Sequence, residues 1–148
     1  MADRQDTTVR SGSEKPNEAS APGQRRQVTV LFADMAGYMP FAEQLGEEKT
    51  YAIMQQVHRE LSEAIHAHEG TVQEFTGDGI MALFGAPAAF EDAPLRACRA
   101  ALGIQERMAA IGRQIEVEHG MKPAFRVGLH SGPLIIGAVG DDRKMKVT

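Results

Sequence analysis

Only one of the 148 residues is a cysteine, Cys98, so no internal disulfide can form and the chain suits a reducing compartment. A lone thiol on a helix is expected to be buried or half-buried. Tryptophan is absent and aromatic residues make up 5% of the chain, so the core must be aliphatic and methionine-rich. No stretch approaches the ~18 apolar residues of a membrane span. The N-terminus carries no apolar segment of the secretory-signal kind, and a cytoplasmic location is expected. The formal charge is −4, with no basic run longer than a pair such as Arg25-Arg26, which argues against a nucleic-acid binder.

What is present amounts to about one domain, long enough to bury a core unaided. Residues 1–25 are rich in Ser, Thr, Gly, Pro and charge, a composition expected to form a disordered tail. Residues 27–33 read as a central strand from their unbroken apolar run. A short helix is expected at 40–45, and a long amphipathic helix at 47–69 with Met54, Val57, Leu61, Ile65 and His68 at helical spacing. Gly70 should end that helix. Residues 71–76 and 80–84 read as a hairpin around Gly77-Asp78-Gly79. A second long helix is expected at 92–119, with Pro94 in its first turn and a stripe of Leu95, Cys98, Leu102, Met108, Ile111 and Ile115. Its charged residues Arg96, Arg99, Glu106 and Arg107 read as a solvated face. Two further strands are expected at 125–130 and 134–139, joined by Ser131-Gly132-Pro133. The order predicts an α+β, ferredoxin-like βαββαβ fold: an antiparallel sheet with two long helices on one face. The other face then needs a cover, from a partner subunit or from chain beyond Thr148, because the pattern stops there without a termination signal.

The chemistry concentrates in two aspartates. Asp34 ends the first strand, before Gly37, and Asp78 sits on the hairpin turn. A hard cation such as Mg²⁺ takes oxygen ligands and keeps water and phosphates in its shell. Two carboxylates on neighbouring strands suit a two-metal site. The alternatives are structural: Asp34 could cap the short helix, and Asp78 could be an ordinary turn aspartate. His66 and His68 point apart on a helix and make no metal pair. His130 is expected to pack or bond locally within its strand.

Three segments together resemble the class III nucleotidyl cyclase catalytic domain: Phe32-Ala33-Asp34-Met35-Ala36-Gly37-Tyr38, the run from Gly77-Asp78-Gly79 to Phe84-Gly85, and Phe125-Arg126-Val127-Gly128-Leu129-His130-Ser131-Gly132. The resemblance covers residues 26–148, read as the N-terminal part of such a domain. It implies that Asp34 and Asp78 bind two Mg²⁺ or Mn²⁺ ions, with the backbone carbonyl of Met35 assisting. It implies a phosphate-binding turn at Gly37, Tyr38 and Met39, the last standing where many relatives have Thr, and a polyphosphate contact from Arg126. Glu74 matches the purine-reading position, where a carboxylate can accept hydrogen bonds from guanine N1–H and N2–H₂. The implied reaction makes a cyclic nucleotide and pyrophosphate from ATP, preferred, or GTP, for signal transduction. The implied assembly is a head-to-tail homodimer with sites at the interface. A non-catalytic nucleotide-binding or dimerisation module is the alternative.

The family's downstream Asn and Arg, which orient ribose and stabilise the transition state, have no counterpart in these residues. Loss of such stabilisation costs on the order of 10²–10³ in rate. Purified 1–148 assayed with Mn²⁺ and either triphosphate should therefore be weak or inactive; robust turnover would sink that expectation.

Overall fold

A computed structural model of the chain describes residues 24–138 and 145–147. The expected tail lies outside these residues except for Gln24 and Arg25, which belong to the first strand. Along the chain come β1 (Gln24–Ala36), α1 (Tyr38–Leu45), α2 (Glu47–His66), β2 (Thr71–Phe75), β3 (Gly79–Phe84), α3 (Ala93–His119), β4 (Ala124–Ala138) and β5 (Met145–Val147). The strands form one antiparallel sheet in the order β2-β3-β1-β4-β5. Its first four strands have the expected ferredoxin-like arrangement.

β1 lies in the middle because it is apolar on both faces. Leu31, Ala33 and Met35 pack with α2 and α3 in the main core, alongside Ile80, Ala82 and Phe84 of β3. Val28 and Val30 point the other way and pack with Leu83 and Ala86. That second cluster covers part of the sheet face opposite the helices. The remainder is open: Phe32 is 52% exposed, and Arg126, Gly128 and His130 lie exposed on the same face. His130 is therefore exposed rather than packed in the core, and its Nε2 lies beside Gly132 of the same strand, 3.5 Å from where a Cβ there would sit.

The two strands expected at 125–130 and 134–139 are one strand. β4 runs through Ser131-Gly132-Pro133 and pairs with β1 from Gln24↔Ile136 to Ala36↔Ala124. The Thr29 and Ser131 hydroxyls meet at 2.6 Å across this pairing. Pro133 is tolerated because β5 pairs only with Ile136–Ala138, so its missing N–H denies no described strand a bond.

α2 ends earlier than expected, at His66, and the residue with left-handed backbone is Glu69, at φ 66. Gly70 is needed for packing instead. A Cβ there would lie 2.5 Å from the Phe84 ring and 2.8 Å from Ile65 Cγ2.

The expected stripe of α3 holds only in its C-terminal half. Ala93, Ala97, Ala100, Ile104, Met108, Ile111, Gly112 and Ile115 are buried, whereas Leu102 is 66% exposed, and Leu95 and Cys98 are exposed too. Regular spacing decides this: the alanines continue in helical phase into Ile104 and Met108, and Leu102 does not. Small side chains also let α3 approach the sheet closely. The charged face of α3 is more engaged than expected. Arg107 donates to Glu60 (2.8 Å) and Glu63 (2.9 Å) of α2, and Arg96 pairs with Asp92 and Glu69.

This orientation has a measurable consequence. Ala100→Leu should cost about 1–3 kcal/mol by overpacking, while Leu102→Ser should stay within about 0.5 kcal/mol of wild type. Thermal melts giving the reverse order would contradict the assignment of the buried face.

Candidate active site

The site is built where β1 and β3 cross. Asp34 pairs with Gly79 in the register, and the Met35 amide donates to the Asp78 carbonyl at 2.9 Å. The crossing is too close for a side chain. A Cβ on Gly79 would lie 1.9 Å from the Ala33 carbonyl oxygen and 2.7 Å from Asp34 Cα. Glycine at this position is what allows the turn bearing Asp78 to sit against the end of β1.

Arg126 of β4 is the other cross-strand neighbour of Asp34. Its guanidinium donates through Nε to Oδ1 (3.0 Å) and through NH2 to Oδ2 (3.2 Å), a two-pronged contact. The hydrogen bond and charge of Asp34 raise the guanidinium's pKa, and the Asp78 charge adds to the effect. All three ionised groups thus share one electrostatic neighbourhood. The Thr76 hydroxyl donates to Asp78 Oδ1 at 3.1 Å, and the Thr76 amide to the Gly79 carbonyl at 2.9 Å, which orients the carboxylate on a closed turn.

Asp34 does not cap α1. The N-cap is Gly37, at φ 70, and it carries no side-chain cap bond. In the first turn, Pro40 has no N–H to offer and the Phe41 amide is taken by the Gly37 carbonyl at 3.2 Å. The amides of Tyr38 and Met39 are left without intrahelical partners, close after Asp34 in sequence and at a positive dipole end. The structure thus offers backbone donors where the sequence suggested a phosphate turn.

Glu74 is exposed on β2 and pairs with Met81, which pairs in turn with Phe32. A bulge between Val72 and Glu74 sets this register. Glu74, Met81, Phe32 and Asp34 therefore share the open sheet face. A separate groove of about 910 Å³, between α1 and α2, touches Tyr38 and Gly77 but none of Asp34, Asp78, Arg126 or Glu74. The carboxylates stand on an open surface instead.

This sequence matches the family described as "Adenylate and Guanylate cyclase catalytic domain" over residues 21–147. The chain belongs to that family. It is 29% identical over 140 residues to a protein named Adenylate cyclase 1 from Rhizobium meliloti, covering 95% of this chain and 21% of that one. Among solved structures, the guanylyl cyclase Cya2 is similar at TM-score 0.77 and 28% identity, over 86% of this chain and 64% of that one. The adenylyl cyclase CyaB from P. aeruginosa is similar at TM-score 0.77 and 26% identity, over 84% and 65%. The chain spans about a fifth of the length of the curated cyclase relative.

Cyclase domains generally use divalent metal ions, and the donors here suit hard cations. Among the described residues no group of three or more His, Cys, Asp or Glu is placed to hold a metal. Two carboxylates leave the rest of the shell to water, phosphate and backbone oxygen, as Mg²⁺ prefers. The Met35 carbonyl leaves β1 on the same edge as its amide, toward Asp78.

Two contacts escaped the sequence reading. One is the Arg126–Asp34 pair, since nothing in one sequence gives the β1–β4 register. The other is His58 of α2, whose Nε2 lies 2.9 Å from the Thr76 carbonyl and whose ring meets Phe75 at 5.0 Å. His58 props the hairpin that carries both Glu74 and Asp78.

Gly79→Ala should lower stability by about 3 kcal/mol or more, the upper end of overpacking costs. A melting temperature unchanged in that variant would contradict the close crossing.

Proposed function

We propose that this chain forms the N-terminal part of a nucleotidyl cyclase catalytic domain, residues 26–148. It converts ATP, or alternatively GTP, to the 3′,5′-cyclic nucleotide and pyrophosphate for signal transduction in the cytoplasm. The observation that carries the reading is the convergence of Asp34 and Asp78 at the Gly79 crossing, beside Arg126. No helix among the described residues is long and apolar enough to cross a membrane.

In the reaction the 3′-oxygen attacks the α-phosphorus. The O3′–Pα bond forms, the bond to the bridging oxygen breaks, and pyrophosphate departs with that electron pair. The hydroxyl proton leaves to solvent or a base. Asp34 and Asp78, with the Met35 carbonyl, would hold two Mg²⁺ or Mn²⁺ ions, which lower the pKa of the 3′-hydroxyl and neutralise phosphate charge. The amides of Tyr38 and Met39, at the Gly37 turn, would accept the phosphates, and Arg126 would clamp the outer ones.

An open site face with exposed Phe32 fits a site completed by a second copy in a head-to-tail homodimer. Glu74 would read the base carried by the other protomer's metal site. The chemistry of its carboxylate suits guanine. Likeness to a protein named Adenylate cyclase 1 supports ATP as the preferred substrate.

The test is Mn²⁺-dependent product formation from each triphosphate by the domain extended through the downstream Asn and Arg. Asp34→Ala and Asp78→Ala should each lower kcat by about 10²-fold or more. Glu74→Lys should move the ATP/GTP preference toward ATP by about tenfold or more. No product from a folded, dimeric domain would favour a non-catalytic nucleotide-binding module.

A further inference from the structure

Arg126 occupies both carboxylate oxygens of Asp34, at 3.0 and 3.2 Å. Those are the oxygens that the proposed function needs for a cation. The two partners are fixed as neighbours by the β1–β4 register, so the contact is built into the sheet. It is also weakly held: the Arg126 side chain is 68% exposed and that of Asp34 37%, and solvent screens such a pair. A divalent cation and the guanidinium cannot both take the same lone pairs in this geometry.

We propose that Arg126 is a latch on Asp34: it holds the metal ligand while the site is empty and is released onto the triphosphate, so cation and triphosphate bind with positive coupling. This inference rests on the metal-site reading above. Without nucleotide, a cation that takes those two lone pairs displaces the guanidinium and breaks both of its hydrogen bonds to Asp34. With nucleotide present, the phosphates take over the guanidinium and the two bonds to Asp34 are replaced. The arginine would then oppose idle metal occupancy and favour the metal–nucleotide pair. The amides of Tyr38 and Met39 lie on the chain segment just after Asp34.

The experiment is Mn²⁺ titration of the 148-residue chain, read by electron paramagnetic resonance of the free ion. Wild type, Arg126→Gln, Arg126→Lys and Asp34→Asn are compared, each with and without a non-hydrolysable triphosphate. Without nucleotide, Arg126→Gln should bind Mn²⁺ roughly two- to five-fold more tightly than wild type, the range open to an exposed ion pair. Arg126→Lys should gain much of that, because lysine keeps the charge but lacks the fork. With the triphosphate the order should invert, wild type binding Mn²⁺ more tightly than Arg126→Gln. Asp34→Asn should lose the site in both conditions.

Unchanged or weaker Mn²⁺ binding by Arg126→Gln would overturn the latch while leaving the metal site standing. Wild-type affinity in Arg126→Lys would assign the effect to net charge and likewise overturn it. No Mn²⁺ binding by any folded variant would remove the metal-site reading itself, and the latch with it. Arg126 is exposed on the sheet surface, so the substitutions leave the core untouched; circular dichroism melts verify this.

Discussion

The contact on which the site depends is a backbone one. Where β3 begins, Gly79 lies so close to Ala33 and Asp34 that a single methyl group would collide with the β1 carbonyl. The close approach lets the Met35 amide reach the Asp78 carbonyl and puts a hairpin turn against the end of a central strand. One carboxylate comes from each side of that contact. Core packing and a few hydrogen bonds hold the two strands in this relation. β1 is buried by apolar side chains on its helix-facing side, so its register cannot slip without exposing Leu31, Ala33 and Met35. The turn is held from the helix layer by His58, from within by Thr76, and across the strands by the Met35 amide.

Electrostatics follow from that placement. Asp34 stands on the open face with Arg126 bonded to it, and the charge of Asp78 also acts on that guanidinium. A charge cluster on an open surface is screened and readily exchanged, which would suit the proposed binding of ions and polyphosphate. The helix face makes the opposite choice. There Arg107 ties α3 to α2 through Glu60 and Glu63, and alanines bring α3 close to the sheet. The apolar helix layer thus lies behind the sheet, and the Asp34–Arg126 charges in front of it.

Much of this was legible in the residues. The βαββαβ order, the hairpin and both aspartates follow from apolar runs, glycine turns and the positions of Asp34 and Asp78. Four features were not, each for a physical reason. β4 is one strand because β1 extends to Gln24 and gives residues 131–136 a partner, and pairing over that distance leaves no local mark. The buried face of α3 is set by alanines in phase with Ile104, while the larger Leu95 and Leu102 suggested another face. Gly70 resembled a helix stop, yet its role is room for the Phe84 ring. The pairing of Arg126 with Asp34 belongs to the same class: each residue stood out alone, and only the register joins them.

The most direct measurement is a crystal structure of the chain with Mn²⁺ and a non-hydrolysable triphosphate, with manganese located by anomalous scattering. Manganese between the carboxylates of Asp34 and Asp78, with Arg126 turned onto phosphate, is the predicted result. Manganese bound elsewhere, with the Arg126–Asp34 pair intact, would contradict it.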